Sequence, residues 1–301
     1  MKIPHPVQYQ GSKRNLAATI LEYFPPNIQT VIEPFAGTAA ISVATAFQNR
    51  ANRFLINDLN KPLVNLLRGI IEQPEETANA YEKLWHEQQP DSIGHYFAVR
   101  DEFNSSGDSQ LFLYLLARCA KGAVRYNNSG ELNQSPDKRR KGTLPATMRK
   151  NILGVSALLK GKCEFSSLDY KIILKQVAKT DLVYMDPPYQ GVCGDKDSRY
   201  YSGIHHSEFI ESLAELNARG ISYLVSYDGK TGNKNYGEKL PNTLNLTCVE
   251  INAGRSSQAT LLGRKEITIE SLYISPSLTK RLSQTQPKKA RQLTVSESCY
   301  A

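Results

Sequence analysis

Apolar residues along this chain keep two different rhythms. In the first sixty positions short apolar runs flank an amphipathic stretch. Thr30-Val31-Ile32-Glu33 and Phe54-Leu55-Ile56 read as strands, and Ala39 to Gln48 between them as a helix rich in small residues. Leu16 to Phe24 is a short amphipathic helix ended by Pro25-Pro26. From Lys61 to Lys160 helical periodicity takes over, in Leu63–Ile71, Glu75–Glu87 and Leu111–Ala120, with no return of the strand–helix–strand pattern. Residues 124–145 form a polar loop or hairpin, with Asn128-Ser129-Gly130 as its turn signal. Alternation then resumes. Cys163-Glu164-Phe165 and Leu182–Met185 are strands around a helix over Tyr170–Ala178. Ser207–Arg219 is a helix with Ser207 as its N-cap, followed by a strand over Ile221–Ser226. Cys248–Ile251 and Ser271–Ile274 fit late edge strands. Beyond Ser277 the chain is rich in Lys, Arg, Gln and Ser without periodicity, which predicts a disordered basic tail over 277–301.

Strand, glycine turn, helix and strand with a terminal acid make one Rossmann-type unit, so the fold class is α/β. The expected organisation is one doubly wound sheet from residues 1–60 and 161–276, interrupted by a mostly helical insert over 61–160. At 301 residues and 40% hydrophobic the chain can bury a substantial core. No apolar run approaches the roughly 18 residues of a membrane span. Met1-Lys2-Ile3-Pro4-His5-Pro6 lacks the apolar core of a signal peptide. A cytoplasmic protein with no membrane partner is expected.

Charge and cysteine usage sharpen this picture. The five cysteines are dispersed without a CxxC pair, which argues for reduced thiols. His205 and His206 are adjacent, so their side chains diverge, and no metal site is expected. The net charge of +8 suits a polyanionic partner. Its local focus is Asp137-Lys138-Arg139-Arg140-Lys141, with Lys121, Arg125 and Arg149 nearby in sequence, which reads as a phosphate-contacting surface.

Two motifs carry chemistry. Glu33-Pro34-Phe35-Ala36-Gly37-Thr38-Ala39 follows a strand and opens a helix, yet holds one glycine where a dinucleotide site uses three. A cofactor without phosphates, such as S-adenosylmethionine, fits a single close backbone approach. Asp58, about twenty residues on at the end of the next strand, is placed to hold ribose hydroxyls. Asp186-Pro187-Pro188-Tyr189 follows an apolar strand. The prolines hold the backbone extended and leave carbonyl acceptors without neighbouring donors. A carboxylate, an acceptor carbonyl and an aromatic face suit a planar ring with an exocyclic amine, as a flipped adenine presents. Tyr200-Tyr201-Ser202 is a candidate clamp for such a base, or simply core. Cytosine-C5 chemistry is excluded, because none of the fifteen prolines precedes a cysteine.

Together these motifs resemble the Dam-like DNA adenine-N6 methyltransferases over roughly Val7 to Ile274. Tyr9-Gln10-Gly11-Ser12-Lys13 is similar to the family's N-terminal element, Asn57-Asp58-Leu59-Asn60 to its ribose-binding acid, and Ser167-Leu168-Asp169-Tyr170 to the element flanking the donor's adenine. Asp101-Glu102-Phe103-Asn104 and Arg125-Tyr126-Asn127, with Gly130 and Asn133, resemble its recognition segment. The resemblance implies a Rossmann-like methyltransferase sheet with an inserted target-recognition domain. It implies S-adenosylmethionine held by Tyr9, Lys13, Glu33, Phe35, Gly37, Asp58, Asp169, Tyr170 and Asp186, and catalysis by Asp186, Pro187, Pro188 and Tyr189. Duplex DNA would be contacted by Lys121, Arg125, Asn127, Asn133, Lys138, Arg139 and Arg140. A cognate restriction endonuclease acting separately is a further partner on this reading.

Two departures stand out. Ala39 occupies a place where the family usually has a second glycine, implying a slightly tighter donor loop. Leu132 stands where the family commonly has Phe, which bears on target sequence. The competing readings are cytosine-N4 methylation in DNA, adenine-N6 methylation in RNA and methylation of a protein glutamine amide. Asp in first position of the tetrapeptide favours adenine in DNA. A non-catalytic nucleic-acid-binding relative and a nicotinamide dehydrogenase are the different-class alternatives. The first would be expected to lack Asp186 or the donor turn, and the second to carry more glycines.

Overall fold

The computed structural model describes residues 2–122, 124–188, 204–232, 234–236, 238–255 and 267–286. After a short helix α1 (Ala17–Leu21), strand β1 (Ile28–Glu33), helix α2 (Ala40–Phe47) and strand β2 (Ala51–Asn57) form the expected parallel unit, with Val31 opposite Phe54 and Ile32 opposite Leu55. β3 (Cys163–Ser166) pairs parallel with β2, and β4 (Leu182–Met185) pairs parallel with β1 and with β5 (Tyr223–Thr231). The remaining strands are β6 (Lys234–Tyr236), β7 (Thr247–Arg255) and β8 (Ile267–Ile274). The order is β3-β2-β1-β4-β5-β8-β7, with β6 pairing β5. This is a doubly wound, Rossmann-like sheet with one antiparallel flank. The chain leaves β1 towards β2 and β3, then returns to the other side at β4. A ligand crevice therefore opens at the carboxyl ends of β1 and β4, where the strand order reverses.

β4 shows why the sheet is covered on both faces. Leu182 and Tyr184 point into one apolar cluster, Val183 and Met185 into another, and all four are buried. The second face is closed by α8 (Tyr170–Lys175) and α9 (His206–Ala218). The first is covered by α1, α2 and α3 (Lys61–Glu72), and on these pack the other helices of the crossover from β2 to β3: α4 (Pro74–Glu87), α5 (Ser92–Ser106), α6 (Ser109–Arg118) and α7 (Pro145–Leu159). Leu66, Leu113 and Ile152 from these helices share one core with Ala44, Ile56 and Tyr184. The insert is therefore packed on the sheet through a continuous apolar layer. Helix α5 escapes the periodicity reading because its buried stripe is narrow: Tyr96, Val99 and Phe103 among polar and charged neighbours.

Four expectations need correction. The tail is not disordered from 277: α10 (Pro276–Thr285) is a helix with Leu278 and Leu282 buried. Its N-cap Ser275 accepts from the Leu278 N–H and also from the Tyr223 N–H, which pins the helix start to β5. Two apolar positions among Lys, Arg, Gln and Ser are too few to show as a periodicity. Residues 287–301 lie outside the described residues. β8 is not an edge strand but lies between β5 and β7, antiparallel to both, burying Leu272 on one face and Tyr273 on the other. α9 starts at His206, one residue before Ser207, where the His206 ring meets the Tyr227 hydroxyl at 2.9 Å. Cys119 and Cys163 are free thiols, but Cys248 is disulfide-bonded.

Candidate active site

A cleft of about 330 Å³ opens at the predicted crevice. Its first wall is the turn after β1. Gly37 has φ +51, and a Cβ built there would meet nothing within 4 Å, so its backbone faces open cleft. The Gly37 N–H donates to Asp58 Oδ2 at 2.8 Å, and the Asn60 N–H donates to Asp58 Oδ1 at 2.9 Å. Asp58 thus ties the turn to the exit of β2, and each of its oxygens retains capacity for one more donor. Burial pushes its carboxyl above the ordinary value, against the pull of those two N–H groups. Ala39 is the N-cap of α2 at φ +52, a left-handed conformation that costs a residue with a Cβ about 1–2 kcal/mol. The departure from glycine is absorbed there as local backbone strain.

Sequence reasoning passed over the residue that holds this end of the sheet together. Asn57 is fully buried at the end of β2. Its Nδ2 donates to the carbonyls of Pro34 and Leu168 at 2.9 and 3.0 Å. Its Oδ1 accepts from Ser166 Oγ and the Leu168 N–H at 2.7 and 2.9 Å. One amide therefore fixes the exits of β1, β2 and β3 relative to each other. The only sequence signal was an Asn beside the expected acid.

The β3 exit supplies the next wall. Asp169 caps α8 by accepting from the Lys171 N–H, and Tyr170 packs on Phe35 with ring centroids 5.0 Å apart. Lys171 and Glu208 form an ion pair across the rim, bringing α9 to the cleft.

The last wall carries the charges. Asp186 leaves β4 into the cleft, with Pro187 and Pro188 beside it. Lys13, buried in a short 3-10 turn, places Nζ 3.0 Å from Asp186 Oδ1 and 3.3 Å from Glu270 Oε2 of β8. Glu33 is also buried here and accepts from the Ser42 N–H at 2.8 Å. Desolvation, helped by the nearby Asp186 charge, pushes the Glu33 carboxyl from 4.5 up to about 7. Between those values the folded state holds the proton more tightly than the unfolded chain. The stability contributed by Glu33 is complete below its ordinary value of 4.5 and is lost as pH rises through about 7. The thermal midpoint is therefore expected to fall with pH across this window, and less steeply in Glu33→Gln, which keeps the acceptor for Ser42. Equal slopes in calorimetry of the two proteins would remove Glu33 as the titrating group.

The structure thus brings Tyr9, Lys13, Glu33, Phe35, Gly37, Asp58, Asp169, Tyr170, Asp186, Pro187 and Pro188 to one cleft. Tyr189, Tyr200, Tyr201 and Ser202 lie outside the described residues. Among the described residues no group of His, Cys, Asp or Glu is arranged to hold a metal ion, and no helix is long and apolar enough to cross a membrane.

The insert reaches the same cleft. Tyr126 lines it, and its hydroxyl accepts from Asn60 Nδ2 at 2.9 Å. Tyr126 bridges to Leu132 across a hairpin, and the buried Leu132 is gripped by Asn104 of α5, which donates to its carbonyl and accepts from its N–H. The Asn127 amide is used inside the turn, bonding the backbone of Ser129 and Glu131 and the Glu131 carboxylate. Arg125 and Asn133 are exposed, paired through the Asn133 N–H and the Arg125 carbonyl.

The basic loop is anchored from within. Buried Arg118 donates to the carbonyls of Asp137 and Ser92, and the Asp137 carboxylate accepts from the N–H groups of Arg139 and Arg140. Those two N–H groups hold Asp137 below the usual carboxylate range, that of Arg139 foremost. The side chains of Lys138, Arg139 and Arg140 are left exposed. Arg149 is not part of this surface, since it pairs with Glu75 and Glu82 of α4. The Lys121 side chain lies outside the described residues.

A family model described as D12 class N6 adenine-specific DNA methyltransferase matches residues 9–253. The DNA N-6-adenine-methyltransferase of Escherichia phage P1 is 26% identical over 233 residues, covering 74% of this chain and 29% of that protein. The retron Ec67 DNA adenine methylase of Escherichia coli is 26% identical over 211 residues, covering 68% of this chain and 67% of the relative. The type II methyltransferase M1.LlaDCHI of Lactococcus lactis subsp. cremoris is 24% identical over 278 residues, covering 87% and 92%. The chain spans less than a third of the phage protein's length.

Proposed function

Because the chain belongs to the D12 class of N6 adenine-specific DNA methyltransferases, we propose that its cleft binds S-adenosylmethionine and that Asp186 directs methyl transfer to the N6 amine of an adenine flipped from duplex DNA. The observation that carries this reading is the convergence of Gly37, Asp58 and Asp186 on one cleft at the reversal of strand order. The walls fit the donor. Asp58 keeps acceptor capacity for ribose hydroxyls, Phe35 and Tyr170 offer aromatic faces, and Gly37 leaves its backbone approachable. Asp186 provides negative charge for a cationic ligand, and Glu33 adds its own once it loses the proton that burial makes it hold.

S-adenosylmethionine would supply an electrophilic methyl group on a sulfonium, with a neutral thioether as the leaving group. The chain's own residues govern the amine. Asp186 and the Pro187 carbonyl accept its two N–H bonds, drawing the nitrogen lone pair out of conjugation with the ring. The Asp186 carboxylate then receives the proton that the amine loses. This is positioning and preorganised electrostatics, without a covalent enzyme intermediate.

The insert 61–160 is assigned to target recognition, with Arg125 and Asn133 on the hairpin and Lys138, Arg139 and Arg140 on the anchored loop as the residues facing DNA. Asn127 is assigned to shaping the hairpin. Incubating the protein with labelled donor and duplex DNA, RNA or protein, followed by nucleoside analysis, tests the proposal. N6-methyladenine in DNA is the expected product, and label in RNA, protein or cytosine would replace the reading.

Arg139→Ala with Arg140→Ala is expected to weaken DNA binding uniformly across sequences. It should also reduce the slope of log K against log salt by up to about 1.8, two phosphate contacts at roughly 0.9 each. An unchanged slope would make the loop a solvated surface.

A further inference from the structure

We infer that Glu270 is a positioning residue of the methyl-transfer site, one that shares the Lys13 ammonium so that Asp186 keeps its strength as an acceptor for the target amine. The inference rests on the assignment of Asp186 given above.

The geometry is specific. Lys13 Nζ lies between two carboxylates, 3.0 Å from Asp186 and 3.3 Å from Glu270, with Lys13 only 8% exposed. Glu270 Oε2 is itself buried, so this ammonium is a counterion held close and poorly screened. The fold presents Glu270 deliberately to this spot. On β8 it alternates with Leu272 and Ile274, which face the cluster that includes Tyr184. Its partner on β5 is Gly229, beside a register shift at Asp228. A Cβ at Gly229 would lie 2.6 Å from the Ile269 carbonyl oxygen, so no side chain can stand there. On β7 the partner is the buried Ile251.

The chemistry asks for such a group. As the new bond forms, positive charge grows on the amine, and Asp186 must receive N–H bonds and then a proton. A lysine held by Asp186 alone would neutralise that carboxylate at the moment it is needed. With Glu270 on its other side, the ammonium is divided between two anions. It can also move towards Glu270 by a fraction of an ångström when the amine arrives. Among the described residues, the titratable groups around Asp186 in this cluster include Lys13, Glu33 and Glu270.

Glu270→Gln is expected to lower the single-turnover rate of DNA methylation about 10- to 100-fold, the range for groups that act through a contacting residue. Donor and DNA dissociation constants should stay within about twofold. The acidic limb of the pH–rate profile should move to lower pH, since Asp186 would then hold a larger share of the ammonium. Glu270→Asp should recover part of the rate. In a Lys13→Gln background, Glu270→Gln should add no further loss, because its effect passes through Lys13. A wild-type rate and profile in Glu270→Gln overturns the inference. So does a loss that persists undiminished in the Lys13→Gln background, or one that tracks a lowered melting temperature with an unmoved acidic limb. Wild-type protein that methylates no adenine would defeat the underlying assignment instead, before any variant is compared.

Discussion

Asp186→Ala is expected to reduce methyl transfer by about 10³-fold or more while donor affinity changes by no more than a few-fold. The magnitude follows from removing a preorganised group aimed at developing charge, which costs roughly 10²–10³ for a single donor. Here the same carboxylate orients the amine and accepts its proton, so two effects are lost together. Donor binding survives because Asp58, Phe35, Tyr170 and the Gly37 turn are positioned by other contacts. Lys13 keeps Glu270 as its counterion when Asp186 is absent, so the variant does not leave the ammonium stranded. Single-turnover methylation of duplex DNA, alongside a donor titration, separates the two effects. Turnover within about tenfold of wild type would sink the role given to Asp186.

Asn57→Ala is expected to cost about 3 kcal/mol of stability and to weaken donor binding at least tenfold. Asn57 contacts neither the proposed amine nor the proposed proton acceptor, yet its amide satisfies the Pro34 and Leu168 carbonyls, the Leu168 N–H and the Ser166 hydroxyl. Leaving a buried polar group unpaired costs about 1–3 kcal/mol, and several are exposed here at once, with water recovering part of the loss. The same substitution frees the exits of β1, β2 and β3 to shift, and these carry Gly37, Asp58 and Asp169. Urea unfolding gives the first quantity and donor titration the second. A loss below about 1 kcal/mol with unchanged donor affinity would show that the three exits are held by other contacts.

The alternating first sixty residues and the stretch from Cys163 to Ser226 were legible because strand and helix there follow local rules. β1, β2, β3 and β4 stand within a few residues of their expected bounds, while the crevice became visible only with the strand order. The insert was legible as helical but not in detail. Helix α5 buries a narrow stripe, and α10 buries two leucines in a polar run, so neither announces itself to a periodicity reading. At the cleft, acids and the glycine turn carry signals because their spacing from strand ends is fixed. Asn57 carries only its place beside the acid, and the roles of Asn60 and Glu270 carry none, because each acts on partners far along the chain: Leu168, Tyr126 and Lys13.

By itself, then, the sequence determined the α/β class, the bounds of the first four strands to within a few residues and the chemical types set at their ends. Those follow from hydrophobic period, from proline and glycine geometry, and from where a strand must stop. Only the tertiary structure decided which charges meet. It brought Lys13 from the N-terminus against Asp186 from β4 and Glu270 from β8, a pairing set by strand register and by the close backbone approach at Gly229. Contacts between segments this distant depend on how the sheet closes, and closure is a property of the packed whole that no local stretch encodes.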